Sequence, residues 1–511
     1  MRNATYPACS DRYQSPPIRT SQVLSKIFDR RTSRHINRHL AVIAILLITT
    51  THSALATAAG NSSGQQHLSK QQLSHQLKKA IRQADAEELK AFKLPLSHQL
   101  RKIPQDPRNK LTAAKVKLGK LLFHETALGL NPQDSALVGT YSCASCHHVA
   151  AGFKSGIPQG LGEGGSGFAK NGQSRVIANP HKAKNKFTAD FQPIASPTIL
   201  NTAYQETMLW NGSFGNSDGS VNNAVDPDKV NNAGPEKVFV NKFGFAGLES
   251  QAIAGTKVHR MRMRDSIIDE HGRYKRLFQQ AFPRGVDGIR GDSEVDEKWL
   301  GAALAIAAYE RTVLANRAPF QQWLRGNKNA MSKQQLRGGV LFFGEAGCVG
   351  CHTGPALSSK TGAEEHEIFF NVGFEDLNPS DPRVHGAIDN ATKKGRGGFT
   401  GRAKDMFKFK IPQLYNLKDS PILGHGASFS TVRQVIEYKN RAKPQKKGVR
   451  RTLSDQFVKL HLTDNEIDDL VAFVEDALYD KRLSRYVPRQ LPSGECFPVA
   501  DYQSIFDLGC W

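Results

Sequence analysis

Cys143-Ala144-Ser145-Cys146-His147 and Cys348-Val349-Gly350-Cys351-His352 are two copies of one pattern, Cys-x-x-Cys-His, and they decide what kind of core this chain builds. The pattern is the attachment signature of c-type haem. Two thiols add to the porphyrin's vinyl groups, and the adjoining histidine binds iron from the proximal side. A zinc site or a redox Cys-x-x-Cys explains neither the histidine after each second cysteine nor the duplication. The sequence therefore predicts two covalently attached haem c groups, held by Cys143, Cys146 and His147 and by Cys348, Cys351 and His352.

The start of the chain agrees with that chemistry. Arg30, Arg31, Arg34 and Arg38 precede an apolar run from Leu40 to Ile48, and Ser53-Ala54-Leu55-Ala56 follows as a small-residue cleavage site. Basic, apolar and small residues in that order make residues 1–56 an expected signal peptide and the location periplasmic. The apolar run is shorter than the roughly 20 residues a membrane span needs, so no span is expected in the mature chain. Of seven cysteines, four belong to the haem motifs and Cys9 falls in the signal, leaving Cys496 and Cys510 for an expected disulfide in the tail. The chain carries a net charge of +22, of which the signal region holds eight basic and two acidic residues, leaving +16. This balance points to an acidic partner or simply to a solvated basic surface, with Lys404 to Lys410 and Lys443 to Arg451 as candidate docking clusters. Nucleic acid is a poor partner for an exported haem protein.

Helical signals dominate between the motifs. Ser332 with Gln335, and Thr463 with Glu466, read as capping boxes. Trp299 to Leu314 is apolar around most of its circumference, as in a buried helix. Gly119-Lys120-Leu121-Leu122-Phe123 before the first motif is echoed by Gly338-Gly339-Val340-Leu341-Phe342 before the second. The echo is consistent with a duplicated unit. Gly- and Asn-rich stretches at 152–173 and 211–247 read as loops, and few segments alternate like strands. The expected fold class is all-α: two cytochrome c-like haem domains with long loops and little β. The expected spans are a helical or mobile extension over 57–102, an N-terminal domain over 103–325, a C-terminal domain over 326–485 and a tail over 486–511.

The order of motifs resembles the bacterial di-haem cytochrome c peroxidase family, including its relative that matures methylamine dehydrogenase. Ile103-Pro104-Gln105-Asp106-Pro107 and Leu118 to Phe123 resemble the family's approach to the first haem. Ser196-Pro197-Thr198-Ile199-Leu200-Asn201 and Leu209-Trp210-Asn211-Gly212 resemble its SPTxxN and FWDG segments. Cys348 to Pro355 matches CxxCHxGP, and Phe409 to Asn416 is similar to FKxPxLRN. The resemblance runs from about Ile103 to Leu478. It implies a peroxide-reacting N-terminal haem, a C-terminal haem that collects electrons from a small cytochrome c or cupredoxin, and Trp210 between them. It also raises a homodimer.

The departures from the family carry information of their own. Where the peroxidases hold a removable distal histidine this chain has Gly160-Leu161-Gly162-Glu163-Gly164, so the first haem is expected to be ready for peroxide at rest. Gln251 matches a distal glutamine, but the family's distal glutamate falls among Arg260 to Met263, where no carboxylate exists. His259 is the nearest group able to move a proton and Arg262 is placed to stabilise negative charge, with simple packing the alternative for His259. For the second haem's sixth ligand, His425 matches the family histidine that precedes the ligand helix. Lys439 then takes the ligand position if one residue is inserted, Tyr438 if none is, and Met406 is a poor match. The family's calcium-binding Asn is Ala195 here, which leaves calcium open.

Three functions follow for comparison: a periplasmic peroxidase acting on hydrogen peroxide, a peroxide-dependent oxidase modifying a protein or organic substrate, and a non-catalytic electron-transfer cytochrome.

Overall fold

Gly119 and Gly338, the two repeat glycines, both sit where helices meet at backbone contact. The computed structural model describes residues 67–182, 186–215, 245, 247–262, 272–286 and 297–510; the signal region and most of the 211–247 loop lie outside these residues. Helix α1 spans Lys70–Ala84 and α2 spans Ala113–His124, the latter capped by the Thr112 hydroxyl accepting from the Lys115 amide. A Cβ on Gly119 would lie 1.7 Å from the Ala305 carbonyl of α3, Glu297–Thr312. In the second half, α4 (Lys333–Phe343) and α5 (Asp464–Val471) meet the same way, a Cβ on Gly338 falling 1.8 Å from the Asp469 carbonyl. Only glycine permits approach this close. Each repeat therefore marks one helix-on-helix crossing, and each such helix contacts a Cys-x-x-Cys-His turn.

The local signals account for where these helices begin. Ser332 with Gln335 and Thr463 with Glu466 form reciprocal capping boxes, satisfying amides that the first turn leaves unpaired. The expected apolar helix is α3, whose Leu300 to Ala308 stretch is buried throughout and packs on α2 and on a helix over Gly247–Val258. Within the N-terminal extension α1 is a regular helix, held by a Ser69–Gln72 capping box. Leu73, Leu77 and Ile81 bury one of its faces against α4, beside Gly339.

Among the described residues, strand is confined to two antiparallel pairs of two residues each, Gly165–Ser166 with Val176–Ile177 and Phe369–Phe370 with Phe409–Lys410. Residues 153–164 are buried although they form no regular helix or strand. The tail is tied twice: Cys496 and Cys510 form the expected disulfide, and Asp501 pairs with buried Arg175 at 2.9 Å. Asp507, on the tail helix Tyr502–Leu508, accepts from the amides of Phe168 and Ala169. No helix among the described residues is long and apolar enough to cross a membrane.

Candidate functional site

Both Cys-x-x-Cys-His segments fold as a single tight turn, Cys143–Ser145 and Cys348–Gly350. In each, the histidine amide donates back to the first cysteine's carbonyl, His147 to Cys143 at 3.2 Å and His352 to Cys348 at 3.0 Å. One turn thus gathers two thiols and an imidazole. None of the four cysteines is in a disulfide. Burial holds the Cys146 and Cys348 thiols up at about 12, and Cys143 higher still. A redox Cys-x-x-Cys needs the opposite, a thiol pushed toward its thiolate. Burial likewise lowers both imidazoles to about 4, so each stays neutral and able to bind a metal.

The second turn opens on a cavity of about 260 Å³, lined by Cys348, Cys351 and His352 and walled mainly by apolar and aromatic side chains such as Phe342, Phe374 and Leu423. His352 Nδ1 donates to the Leu357 carbonyl at 2.9 Å, which fixes the tautomer whose Nε2 carries a free lone pair. Residues of the first half reach the same cavity: Lys154 and Trp210 line it beside Lys410 and Lys446. Lys154 and Lys410 are buried with only neutral partners, the Ile422 carbonyl and the Gln205 side chain. Burial lowers them to about 8 and about 7. Buried cations call for a counter-charge. An apolar slot with two thiols, a neutral imidazole and uncompensated ammonium groups fits a haem held by Cys348, Cys351 and His352, whose propionates would supply the missing negative charge.

Around the first turn, the helix over Gly247–Val258 is buried apart from its exposed end at Lys257 and Val258 and two partly accessible positions, Gln251 and Gly255. Gln251, Gly255 and His259 follow at four-residue spacing, each partly accessible, and a Cβ on Gly255 would meet no atom within 4 Å. That row faces open space. His259 Nδ1 lies 2.9 Å from Asp190 Oδ2, and its Nε2 is 3.4 Å from the Gln192 side-chain amide. Burial would lower the His259 pKa, but the charge and hydrogen bond of Asp190 outweigh it and the net shift is upward. The dyad lies close to the first motif: His147 feels the charge of His259, and Cys146 that of Asp190. The fold thus brings a carboxylate to His259 from 69 residues away, where the local sequence offered none. The carrier is the antiparallel contact of Gly160-Leu161-Gly162 with Asp190-Phe191-Gln192, in which Gly162 N donates to Asp190 O and Gln192 N to Gly160 O.

Several expected residues are placed elsewhere. Arg262 is not brought to this site; its side chain is exposed and its amide bonds the Leu128 carbonyl. The neighbouring Arg260 points inward instead and pairs with fully buried Glu163, which also accepts from the Gln133 amide at 2.5 Å. Glu163 is thereby held as a structural ion pair. Tyr438 donates to the Val372 carbonyl at 2.6 Å among Phe374, Phe429 and Phe457, and does not line the second cavity. Lys439, the next residue, does line it. Burial lowers its amine to about 8, the thiols of Cys351 and Cys348 opposing. Met406 packs against Gly397, outside the cavity lining. His425 lines the cavity, stacked on Phe409 at 3.6 Å with Nε2 3.6 Å from Asp376. Trp210 donates to the Ala195 carbonyl at 2.7 Å and lies 6.2 Å from His425. Of the two basic clusters, Lys404 is exposed and Lys410 interior in the first, while Lys443, Lys447, Arg450 and Arg451 are exposed in the second.

Comparison with known proteins agrees with this chemistry. Residues 113–329 match the family model described as di-haem cytochrome c peroxidase. The chain is 28% identical over 404 residues to cytochrome-c peroxidase IdrP1 of Denitromonas iodatirespirans, covering 75% of this chain and 86% of that protein. It is 24% identical over 397 residues to the methylamine utilization protein MauG of Methylorubrum extorquens, covering 77% and 85%. A solved MauG-like protein associated with microbial copper homeostasis aligns at 22% identity with a TM-score of 0.49, covering 76% of this chain and 94% of that one.

Proposed function

We propose that this chain, which matches the di-haem cytochrome c peroxidase family model over residues 113–329 and resembles the cytochrome-c peroxidases and MauG, is a periplasmic oxidoreductase reducing hydrogen peroxide with electrons from a small redox protein. The observation that carries this reading is the difference between the two sites. The first has proton-handling side chains around open space; the second is an apolar slot rimmed by cations. Bound at Cys143, Cys146 and His147 and at Cys348, Cys351 and His352, two haems supply the iron that cleaves peroxide and the relay that delivers electrons.

The protein's own part is acid–base work and positioning. With Nδ1–H donated to Asp190, His259 keeps Nε2 as its basic nitrogen, 3.4 Å from the Gln192 side-chain amide. It takes the proton from one peroxide oxygen and returns it to the other, so that with two electrons and two further protons both oxygens leave as water. Gln251, one turn beyond Gly255, supplies an amide to orient the substrate. Trp210 donates to the Ala195 carbonyl just before Ser196-Pro197, and the Pro197 carbonyl lies near His147. Trp210 also lines the second cavity, so it joins the two sites and supports a role in passing electrons between them. Exposed Lys447, Arg450 and Arg451 follow the cavity-lining Lys446 and flank Val449, which suits an acidic donor.

The test is to mix holoprotein with hydrogen peroxide and a reduced small c-type cytochrome and to follow oxidation of the donor. Turnover without prior reduction supports the peroxidase. A haem spectrum that responds while the donor stays reduced moves the reading to an oxidase of organic or protein substrates. Two haems that ignore peroxide leave an electron carrier.

A further inference from the structure

The helix over Val432–Arg441 presents one face to the second cavity, and that face ends in an amine. Val432, Val435, Ile436 and Lys439 all line the cavity, at the spacing that stacks side chains along one side of a helix. Three of the four are aliphatic. The fourth shares the cavity with Cys348, Cys351 and His352, and its charge is felt by all three. The other lysines of the lining have acceptors: Lys154 donates to the Ile422 carbonyl, Lys410 to Gln205 and Lys446 to Asp376. Lys439 has none among the described residues. Its Nζ rests instead between Phe374 and Phe457, 5.7 and 5.3 Å from their ring centroids.

We propose that Lys439 is the axial ligand opposite His352 on the second haem, its free amine and the His352 imidazole sharing one apolar cavity with the two attachment thiols. The proposal rests on the reading of this cavity as a haem site. A lysine whose head group meets aromatic rings and no carboxylate or carbonyl is left with its nitrogen available to a metal in the same cavity. The competing side chains are placed differently. The Tyr438 hydroxyl is turned about 100° round the helix and spent on the Val372 carbonyl. His425 is stacked flat on Phe409 and faces Asp376, and Met406 packs on Gly397. An amine holds iron at a lower potential than a thioether does, so the physiological donor should be correspondingly reducing.

The experiment is near-infrared magnetic circular dichroism with low-temperature electron paramagnetic resonance on the ferric holoprotein, after mass spectrometry has counted its haems. Two attached haems, one low-spin with an amine-and-imidazole signature, are expected. Lys439→Ala should turn that haem high-spin, and added ethylamine should restore it; Tyr438→Phe should leave the spectrum unchanged. Lys439→Met should give a thioether signature and a raised potential. A thioether, phenolate or bis-imidazole signature in the unmodified protein overturns the assignment without needing any variant. So does a Lys439→Ala protein that keeps the parental low-spin spectrum. A haem count below two overturns the reading of the cavity itself, and the ligand assignment with it.

Discussion

Removing His259 should cripple peroxide reduction without disturbing haem attachment, and the size of the loss can be worked from its surroundings. A positioned general acid–base contributes about 10²–10⁴ in rate, so His259→Ala should lower kcat/KM for hydrogen peroxide by that factor, about 3–5 kcal/mol. Asp190→Asn should cost less. It keeps a hydrogen-bonding side chain at the 2.9 Å contact but removes its charge, exchanging a charge-assisted bond for a neutral one. The difference is about 1 kcal/mol, or roughly fivefold. The pH profile separates the two roles. His259 must be neutral to accept a proton, and its pKa is raised, the charge and hydrogen bond of Asp190 overcoming the downward pull of burial. Activity should therefore rise along an acid limb centred above 6.5. In Asp190→Asn the uncompensated burial moves that limb below 6.5. The assay is steady-state kcat/KM for peroxide across about pH 5 to 9, with haem content checked for each variant. A His259→Ala enzyme within about threefold of the parent rate would falsify the acid–base role, leaving His259 as packing.

Other perturbations probe the frame around that site. Gly119→Ala and Gly338→Ala place a methyl 1.7 Å and 1.8 Å from a facing carbonyl, so each should lower stability by about 1–3 kcal/mol or more in chemical denaturation. Gly255→Ala meets nothing within 4 Å and should hold or raise stability while impairing alkyl peroxides more than hydrogen peroxide. Asp501→Asn strands buried Arg175 and should cost about 3–5 kcal/mol. Because the Arg175 charge helps to hold the Asp501 pKa below 3.8 against burial, the pair's contribution is present above about pH 4 and is lost as pH falls through the depressed value, which acid unfolding of the two proteins will show. Reversing Lys447, Arg450 and Arg451 to Glu should weaken the donor's kcat/KM and flatten its salt dependence, with KM for peroxide unmoved.

Much of the frame was legible because its signals are local. Capping boxes at Ser332 and Thr463 lie within four residues of the helices they start, and Cys-x-x-Cys-His is complete in five. The tail disulfide needed only a count of cysteines and a compartment. The distal side of the first site was not legible in the same way. Asp190 meets His259 through two irregular segments that carry no periodicity, so no pattern along the chain announces the pair. Arg260 and Arg262 were separable only once the backbone showed which turned inward, and Arg260 does so from a left-handed conformation, φ 53°. Tyr438 and Lys439 differ by one helical step. Alignment leaves that step undecided, whereas the fold puts Lys439 in the cavity lining with Val435 and Ile436 and leaves Tyr438 out of it.

The basic composition looked from sequence like a property of the surface, yet part of it is interior, and this has a thermodynamic consequence. Lys154 and Lys410 are each 7% exposed, with no carboxylate partner among the described residues. Burial lowers their pKa values from 10.5 to about 8 and about 7. At 1.36 kcal/mol per unit, keeping each protonated in the haem-free protein costs on the order of 3–5 kcal/mol. The sign follows from proton counting: between the folded and unfolded values the unfolded chain binds the extra proton, so stability of the haem-free protein should rise as pH climbs from about 7 toward 10. Below that window the full penalty applies. If haem propionates are the missing counter-charge, they keep both lysines protonated in the folded state, and the slope should largely vanish in the holoprotein. Comparing urea unfolding of the holoprotein with that of a Cys348→Ala, Cys351→Ala protein across this range tests the point. Equal slopes would mean that haem does not supply the counter-charge.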